Sequence, residues 1–213
     1  MAEGLRERKK RQTRQYISDM ATGLFLERGF DAVTIAEIAE ASDVSVNTVY
    51  NYFPAKEDLF LDRGKALVDR LSRFVRARRA GESAAVAVLR ELREEVESVS
   101  PQIGLAEGFD RFMKVVNGSA ALQARLSSLQ REQYDELVAT LRRETGAADD
   151  DPMPGLMAGQ IDWVHQTLMA AIVREMTAGR EPAVVSREML VLLDEMEDLL
   201  SEKVLNYAVR AAE

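Results

Sequence analysis

TIAEIAEASDVSVNTVYNYF, residues 34–53, reads as two short helices joined by a tight turn. Thr34 and Glu37 have the spacing of a capping box. In that motif the hydroxyl accepts from a free amide of the first turn, and the carboxylate reaches back to the cap amide. The first helix runs from Ile35 to Ala41, with Ile35, Ile38 and Ala39 inward, and Ser42-Asp43-Val44 makes the turn. Ser45 caps the second helix, which runs from Val46 to about Phe53. Ala39 is small where the two helices cross, and Val44 plugs the crossing, which is the logic of a helix-turn-helix. Val49 and Phe53 are four apart and face inward, so Asn47, Tyr50 and Asn51 share the opposite face, with Thr48 at its edge. Amides, a hydroxyl and a phenol on one outward face suit the edges of base pairs. Asn can bond an adenine with two hydrogen bonds, and a Thr methyl or Tyr ring can touch a thymine methyl.

The flanking residues support that reading. Upstream, apolar pairs at Tyr16/Ile17, Met20/Ala21 and Leu24/Phe25 mark a helix from Arg8 to Arg28 that Gly29 stops, with Phe30 folding back onto its stripe. Its start is basic: Arg6, Arg8, Lys9, Lys10, Arg11 and Arg14 are opposed only by Glu7, which makes an arm for a polyanion. Downstream, Pro54 opens a helix expected to run unbroken from Ala55 to about Arg79. Thr34, Ser45 and Tyr52 offer hydroxyls to phosphates. Lys56, a cation near a helix start, is poorly placed for the helix dipole unless an anion binds there.

Composition narrows the rest. The chain has 213 residues, 46% hydrophobic and 30% charged, and its net charge is −8. Residues 1–80 hold 15 Lys+Arg against 12 Asp+Glu, whereas residues 81–213 hold 13 against 24. A basic first part and an acidic remainder suggest two jobs. With no cysteine and one histidine, His165, there are no disulfides, thiolate sites or multi-histidine metal sites, and neither cofactor nor metal is expected. No run of 18 apolar residues is present, so no membrane association is expected; the basic start is not that of a secretory signal, so the cytoplasm, at the nucleoid, is the expected location.

Beyond residue 81 the pattern stays helical: Ala84–Val99, Leu105–Val116, Ala120–Arg143, Gly155–Ala178 and about Val184 to Val209, with no hairpin signal and no repeat. The expected fold is all-α with about nine helices. The last helix carries a long stripe (Val185, Met189, Leu192, Leu193, Met196, Leu199, Leu200, Val204, Tyr207), and the one before it carries Leu156, Ile161, Val164, Leu168, Ile172 and Met176. Two such helices can form half of a four-helix bundle with a second copy, or simply pack on their own monomer.

Thr34-Ile-Ala-Glu-Ile-Ala-Glu-Ala, Val44-Ser45, Thr48-Val49-Tyr50-Asn51-Tyr52-Phe53 and Lys56-Glu-Asp-Leu59 resemble the signature of the TetR family of transcriptional regulators, over roughly residues 8–60. The resemblance implies an all-helical homodimer, joined through the last two helices, that binds a palindromic site on double-stranded DNA. It also implies a three-helix DNA-binding domain at residues 1–55 and a larger helical domain at 56–213 that binds a small-molecule effector and dimerises. By position, Thr34, Ser45, Tyr52 and Lys56 look like phosphate contacts, with Arg8 and Lys9 of the arm beside them. Val46, Asn47, Thr48, Tyr50 and Asn51 look like groove-facing residues. Two positions depart from the pattern: Asp43 stands where glycine is frequent, and Val46-Asn47 where Lys-Gly is frequent. Aspartate tolerates the left-handed turn; the second change leaves the operator sequence open.

Residues 100–178 are expected to hold the effector pocket, with Phe109, Phe112, Met113, Tyr134, Trp163, His165, Gln166 and Met169 as candidate lining residues. Trp163 and His165 point about 200° apart on a helix, so one narrow cavity cannot take both. The expected function is a sequence-specific repressor released by its effector. The alternatives are a ligand-independent nucleoid-associated or protein-interaction factor on the same dimer, and a helical enzyme. An enzyme needs an acid–base constellation, and the carboxylates here sit at exposed-looking helical positions.

Overall fold

The computed structural model describes residues 4–62 and 64–211, so the first three residues of the chain lie outside the described residues. Among the described residues there are eleven α-helices and no strand. They are α1 (Leu5–Arg28), α2 (Ile35–Ala41), α3 (Val46–Tyr52), α4 (Glu57–Phe60), α5 (Gly64–Arg76), α6 (Ala84–Glu97), α7 (Phe109–Asn117), α8 (Ala120–Thr145), α9 (Met153–Thr177), α10 (Pro182–Asp198) and α11 (Glu202–Leu205), with a 3-10 turn at Pro101–Ile103. The all-α class is as expected. The count exceeds nine because two long helices are broken, which leaves α4 and α11 as single turns.

The chain divides into two compact units. The first comprises Met1–Lys65 with Lys114–Ser128, and the second comprises Ala66–Met113 with Leu129–Glu213. In the first unit Ile17, Ala21 and Phe25 form the buried stripe of α1. Gly29, at φ 83° and ψ 155°, takes a positive-φ conformation that favours glycine and ends the helix, and the Phe30 ring returns to within 4.9 Å of Phe25. α2 packs on α1 and α3, and α4 packs on α1. Ser18 Oγ donates to the Leu59 carbonyl at 3.1 Å, tying α1 to α4. The start of α8 is joined to this unit by Ser119 Oγ donating to Asp31 at 3.0 Å and by an Arg125–Asp58 ion pair at 3.0 Å.

The helix expected from Ala55 to Arg79 breaks between Phe60 and Gly64. Leu61 leaves helical geometry (φ −102°, ψ 42°), and Gly64 N–H closes a turn on the Leu61 carbonyl at 2.9 Å. The break falls just before Gly64, a residue type that costs a helix interior about 1 kcal/mol. The helix expected at Leu105–Val116 starts later, at Phe109, because Gly104 adopts φ 88° after the 3-10 turn. A side chain at Gly104 would collide with the Phe109 ring at 2.5 Å.

In the second unit α10 packs on α6 and α9. Ala85 and Val88 of α6 and Ser186 of α10 are buried, and Ser186 Oγ donates to the Val96 carbonyl at 2.7 Å. The last helix stops at Asp198 rather than near Val209. The following chain gives its backbone to a different partner: Ala84 N–H donates to the Tyr207 carbonyl at 3.1 Å, Gly81 N–H to the Arg210 carbonyl at 2.9 Å, and Arg210 N–H to the Glu82 carbonyl at 3.0 Å. Buried Arg78 closes this seam through the Ala208 carbonyl at 2.9 Å and Glu144 at 2.8 Å.

Candidate nucleic-acid interface

The capping box at the start of α2 is fully formed. Thr34 Oγ1 accepts from Glu37 N–H at 3.2 Å, and Thr34 N–H donates to Glu37 Oε2 at 2.7 Å. The Thr34 amide, then Arg28 at 2.7 Å and the Thr34 hydroxyl, hold the Glu37 carboxyl down at about 2. The box therefore stays charged under ordinary conditions and fixes where α2 begins. At its end, Asp43 takes φ 51° and Val44 N–H reaches back to the Ala39 carbonyl at 3.0 Å. Ser45 Oγ then accepts from Thr48 N–H at 3.1 Å and starts α3. These caps set the direction of α3 from side chains within three residues of each helix start.

Val49 and Phe53 are buried to within 1% and anchor α3. Arg14 fastens its far end: the guanidinium lies 4.1 Å from the centre of the Phe53 ring and donates to the Tyr52 carbonyl. A cation is favourable at that negative end of the helix dipole. On the opposite face Val46, Asn47, Tyr50 and Asn51 are exposed, and Tyr50 keeps half of its surface in solvent. Thr48 and Tyr52 are half-buried at the edges. Arg8 and Lys9 are exposed on the first turns of α1. A groove of about 660 Å³ runs beside them, where Lys10, Arg11 and Arg14 meet Asn51 and Tyr52.

Lys56 is placed differently from a free phosphate contact. Its ammonium donates to the Phe30 carbonyl at 2.6 Å and stands 4.2 Å from the centre of the Phe30 ring. Burial lowers its pKa. This contact gives the lysine a reason to sit at the start of α4 with no anion present. The Thr34 hydroxyl is likewise engaged, donating to Glu37 at 2.8 Å.

The eight candidate pocket residues sit in different surroundings. Phe109 and Phe112 stack at 6.1 Å, with Phe109 against Gly104, and Met113 is buried. Tyr134 donates to the Gly155 carbonyl at 3.2 Å, and Met169 packs on the core. Trp163 is 39% exposed on the outer face of α9, while His165 is 3% exposed on the inner face. A cleft of about 340 Å³ on α6 and α10, lined by Val86, Arg90 and Arg93 among others, includes none of the eight.

Around His165 the interior is polar in a way that sequence reasoning missed. Arg70, 5% exposed, pairs with Glu95 and donates to the Gln102 carbonyl at 3.3 Å. Gln133, fully buried, donates to the Leu67 carbonyl at 2.6 Å. Gln130 donates to Gln166 at 3.4 Å. Yet Arg70 Nε, Gln133 Oε1 and both ring nitrogens of His165 are buried without hydrogen-bond partners. Burial first, then the Arg70 charge, lowers the imidazole to about 3, so it is neutral. Burial raises the Glu95 carboxyl. Each unmade buried bond costs about 1–3 kcal/mol, so a cluster of them calls for an explanation. A signal was available: Gln133 falls four residues from both Leu129 and Leu137 on the apolar stripe of α8, and Arg70 adjoins Leu71 on that of α5.

A capped, polar-faced helix packed with α1 and α2 and flanked by a basic arm defines a helix-turn-helix DNA-binding protein. Residues 17–62 match the family model of bacterial regulatory proteins, tetR family. The HTH-type transcriptional regulator TcmR of Streptomyces glaucescens is 31% identical over 160 residues, covering 71% of this chain and 69% of that one. The HTH-type transcriptional regulator AcrR of Shigella flexneri is 28% identical over 138 residues, covering 62% and 63%. In fold the chain is similar to NalD, the secondary repressor of the MexAB-OprM multidrug efflux pump in Pseudomonas aeruginosa (TM-score 0.57, 17% identity, 87% and 97% covered), and to the SmeT–triclosan complex (TM-score 0.57, 17% identity, 91% and 94% covered). The chain belongs to the TetR family and is a DNA-binding transcriptional regulator, not an enzyme. Among the described residues no helix is long and apolar enough to cross a membrane.

Proposed function

We propose that this protein is a cytoplasmic, nucleoid-bound repressor that grips a palindromic operator as a homodimer and lets go when a small molecule binds its second unit. The exposed face of α3 carries the reading most directly. Val46, Asn47, Tyr50 and Asn51 contact base edges with Thr48 beside them, while Arg8, Lys9, Ser45 and Tyr52 hold phosphates. Thr34 donates to a phosphate only by giving up its bond to Glu37, whereas Lys56, with three N–H donors, can reach one while keeping its bond to the Phe30 carbonyl. Residues 1–55 supply the DNA contacts, and 56–213 supply effector binding and dimerisation through α9 and α10. The exposed apolar side chains Leu156 and Trp163 on α9 and Val191 on α10 support that face as the place where a second copy packs. Dimerisation suits the task, because a single α3 of seven residues offers few base contacts and a two-fold pair doubles them on symmetric half-sites. An effector that prefers the form with mismatched half-site spacing shifts the population by its differential affinity alone.

Selection of bound fragments from random double-stranded DNA tests this. The expected product is a palindrome with half-sites about one helical turn apart, or a multiple of it. Recovery of unrelated fragments with no shared sequence would favour the ligand-independent, nucleoid-associated alternative instead.

A further inference from the structure

We propose that the polar layer around His165 recognises the effector, and that the effector is an uncharged, mainly apolar molecule carrying a hydroxyl group. This rests on the reading that the second unit takes a small molecule, and it names the chemistry of that ligand.

The layer draws on four helices. On α5, Leu67 and Arg70 are one turn apart. Gln133 of α8 bonds the Leu67 carbonyl at 2.6 Å. One turn earlier on α8, Gln130 bonds Gln166 of α9 at 3.4 Å, and Gln166 is the neighbour of His165. Arg70 is close enough to act on the charge of His165, and it is held by Glu95 of α6. Three helices thus each present a buried side chain with unmade bonds: Arg70 Nε from α5, Gln133 Oε1 from α8, and both ring nitrogens of His165 from α9. The rest of the surrounding core is apolar, with Leu137, Ile161 and Leu168 among its buried members.

The unmade bonds describe their occupant. A neutral imidazole offers one donor and one acceptor, the amide oxygen accepts, and the guanidinium N–H donates. A hydroxyl both donates and accepts, so it answers this set where an ether or a hydrocarbon cannot. The charge of Arg70 is already balanced by Glu95. A carboxylate ligand would face Glu95 and two acceptors, and an ammonium would face Arg70, so neither sign of charge is matched. The buried apolar side chains of the surrounding core suit the remainder of the molecule.

His165 is the only histidine, so a full-length chain labelled with 15N-histidine gives the signals of this one side chain. The probes are 1-naphthol, naphthalene and 1-naphthoate. The expected result is that 1-naphthol shifts the ring-nitrogen resonances of His165 and raises the melting temperature, with the other two binding at least about tenfold more weakly. His165→Met should raise the melting temperature of the unliganded protein and weaken 1-naphthol by about tenfold or more. A histidine kept for structure would lower it instead. Gln133→Leu carries the same two expectations should the methionine variant fail to fold. Unmoved His165 signals, equal binding of naphthalene, tighter binding of 1-naphthoate, or a fall in melting temperature in the folded variants would each overturn the proposal. A palindrome still selected by the same protein would leave the repressor reading standing and remove only the ligand class.

Discussion

His165 is neutral in the folded chain, with its pKa lowered from 6.5 to about 3 by burial and by Arg70. The unfolded chain has no such restraint and takes up a proton near its ordinary value. Above about pH 6.5 both states are neutral at this site and folding is not penalised. As pH falls from 6.5 toward about 3, the unfolded state gains a proton that the folded state refuses, and stability is lost. The slope is about 1.4 kcal/mol per pH unit, or about 2 kcal/mol by pH 5. Glu95 acts in the opposite sense: its raised carboxyl favours the folded state in acid, and that advantage is lost as pH rises through its folded value. Denaturation of the wild type and of His165→Gln at matched pH values separates the two. The variant should lose less stability than the wild type between pH 7 and pH 5, and parallel curves would show that the imidazole is protonated inside the fold.

At the scale of single elements, α3 carries a division of labour that mutation can separate. Asn51 is exposed on the proposed reading face, so Asn51→Ala should cost about 1–3 kcal/mol of operator binding and relax base preference at one position. Lys9 is exposed on the arm, so Lys9→Ala should weaken all sequences alike and reduce the salt slope by about one. Both should leave thermal stability nearly unchanged, because neither side chain is packed. A fluorescence-anisotropy titration over several salt concentrations and single-base operator variants reads both outcomes. The face of α3 was legible in the sequence because its cues are local: Val49 and Phe53 are one turn apart, and Thr34, Glu37 and Ser45 cap helices within three residues. The destination of Lys56 was not, since the Phe30 carbonyl lies 26 residues away and only the folded chain brings it near. Arg70 and Gln133 are intermediate cases. Their places on apolar stripes could be read from spacing, but their partners at Glu95 and Leu67 depend on how α5, α6 and α8 pack. The breaks at Leu61 and Leu199 are not legible for the same reason, because the apolar period runs on through residues whose backbone turns away to other contacts.

At the scale of the whole molecule, two observations bear on how the protein assembles. The core of the second unit buries the inner stripes of α9 and α10, including Val164, Leu168, Val185 and Leu193. That use leaves the outer faces for the proposed dimer, where Leu156 is 59% exposed, Trp163 39% and Val191 58%. Leu156 and Trp163 are seven apart, two turns of one face of α9. Buried apolar side chains of this size contribute about 1.5–3 kcal/mol each, so a face holding several is a substantial share of a dimer interface. The pair Trp163→Glu with Val191→Glu places four like charges on the joined face without touching the inner stripes. The double variant should keep its helical content, sediment as a monomer at micromolar concentration, and bind operator DNA no better than unrelated duplex, in the range of about 0.1 mM to 1 µM. A variant that still sediments as a dimer would assign the interface to another surface, and the symmetry of the operator would then have to come from there.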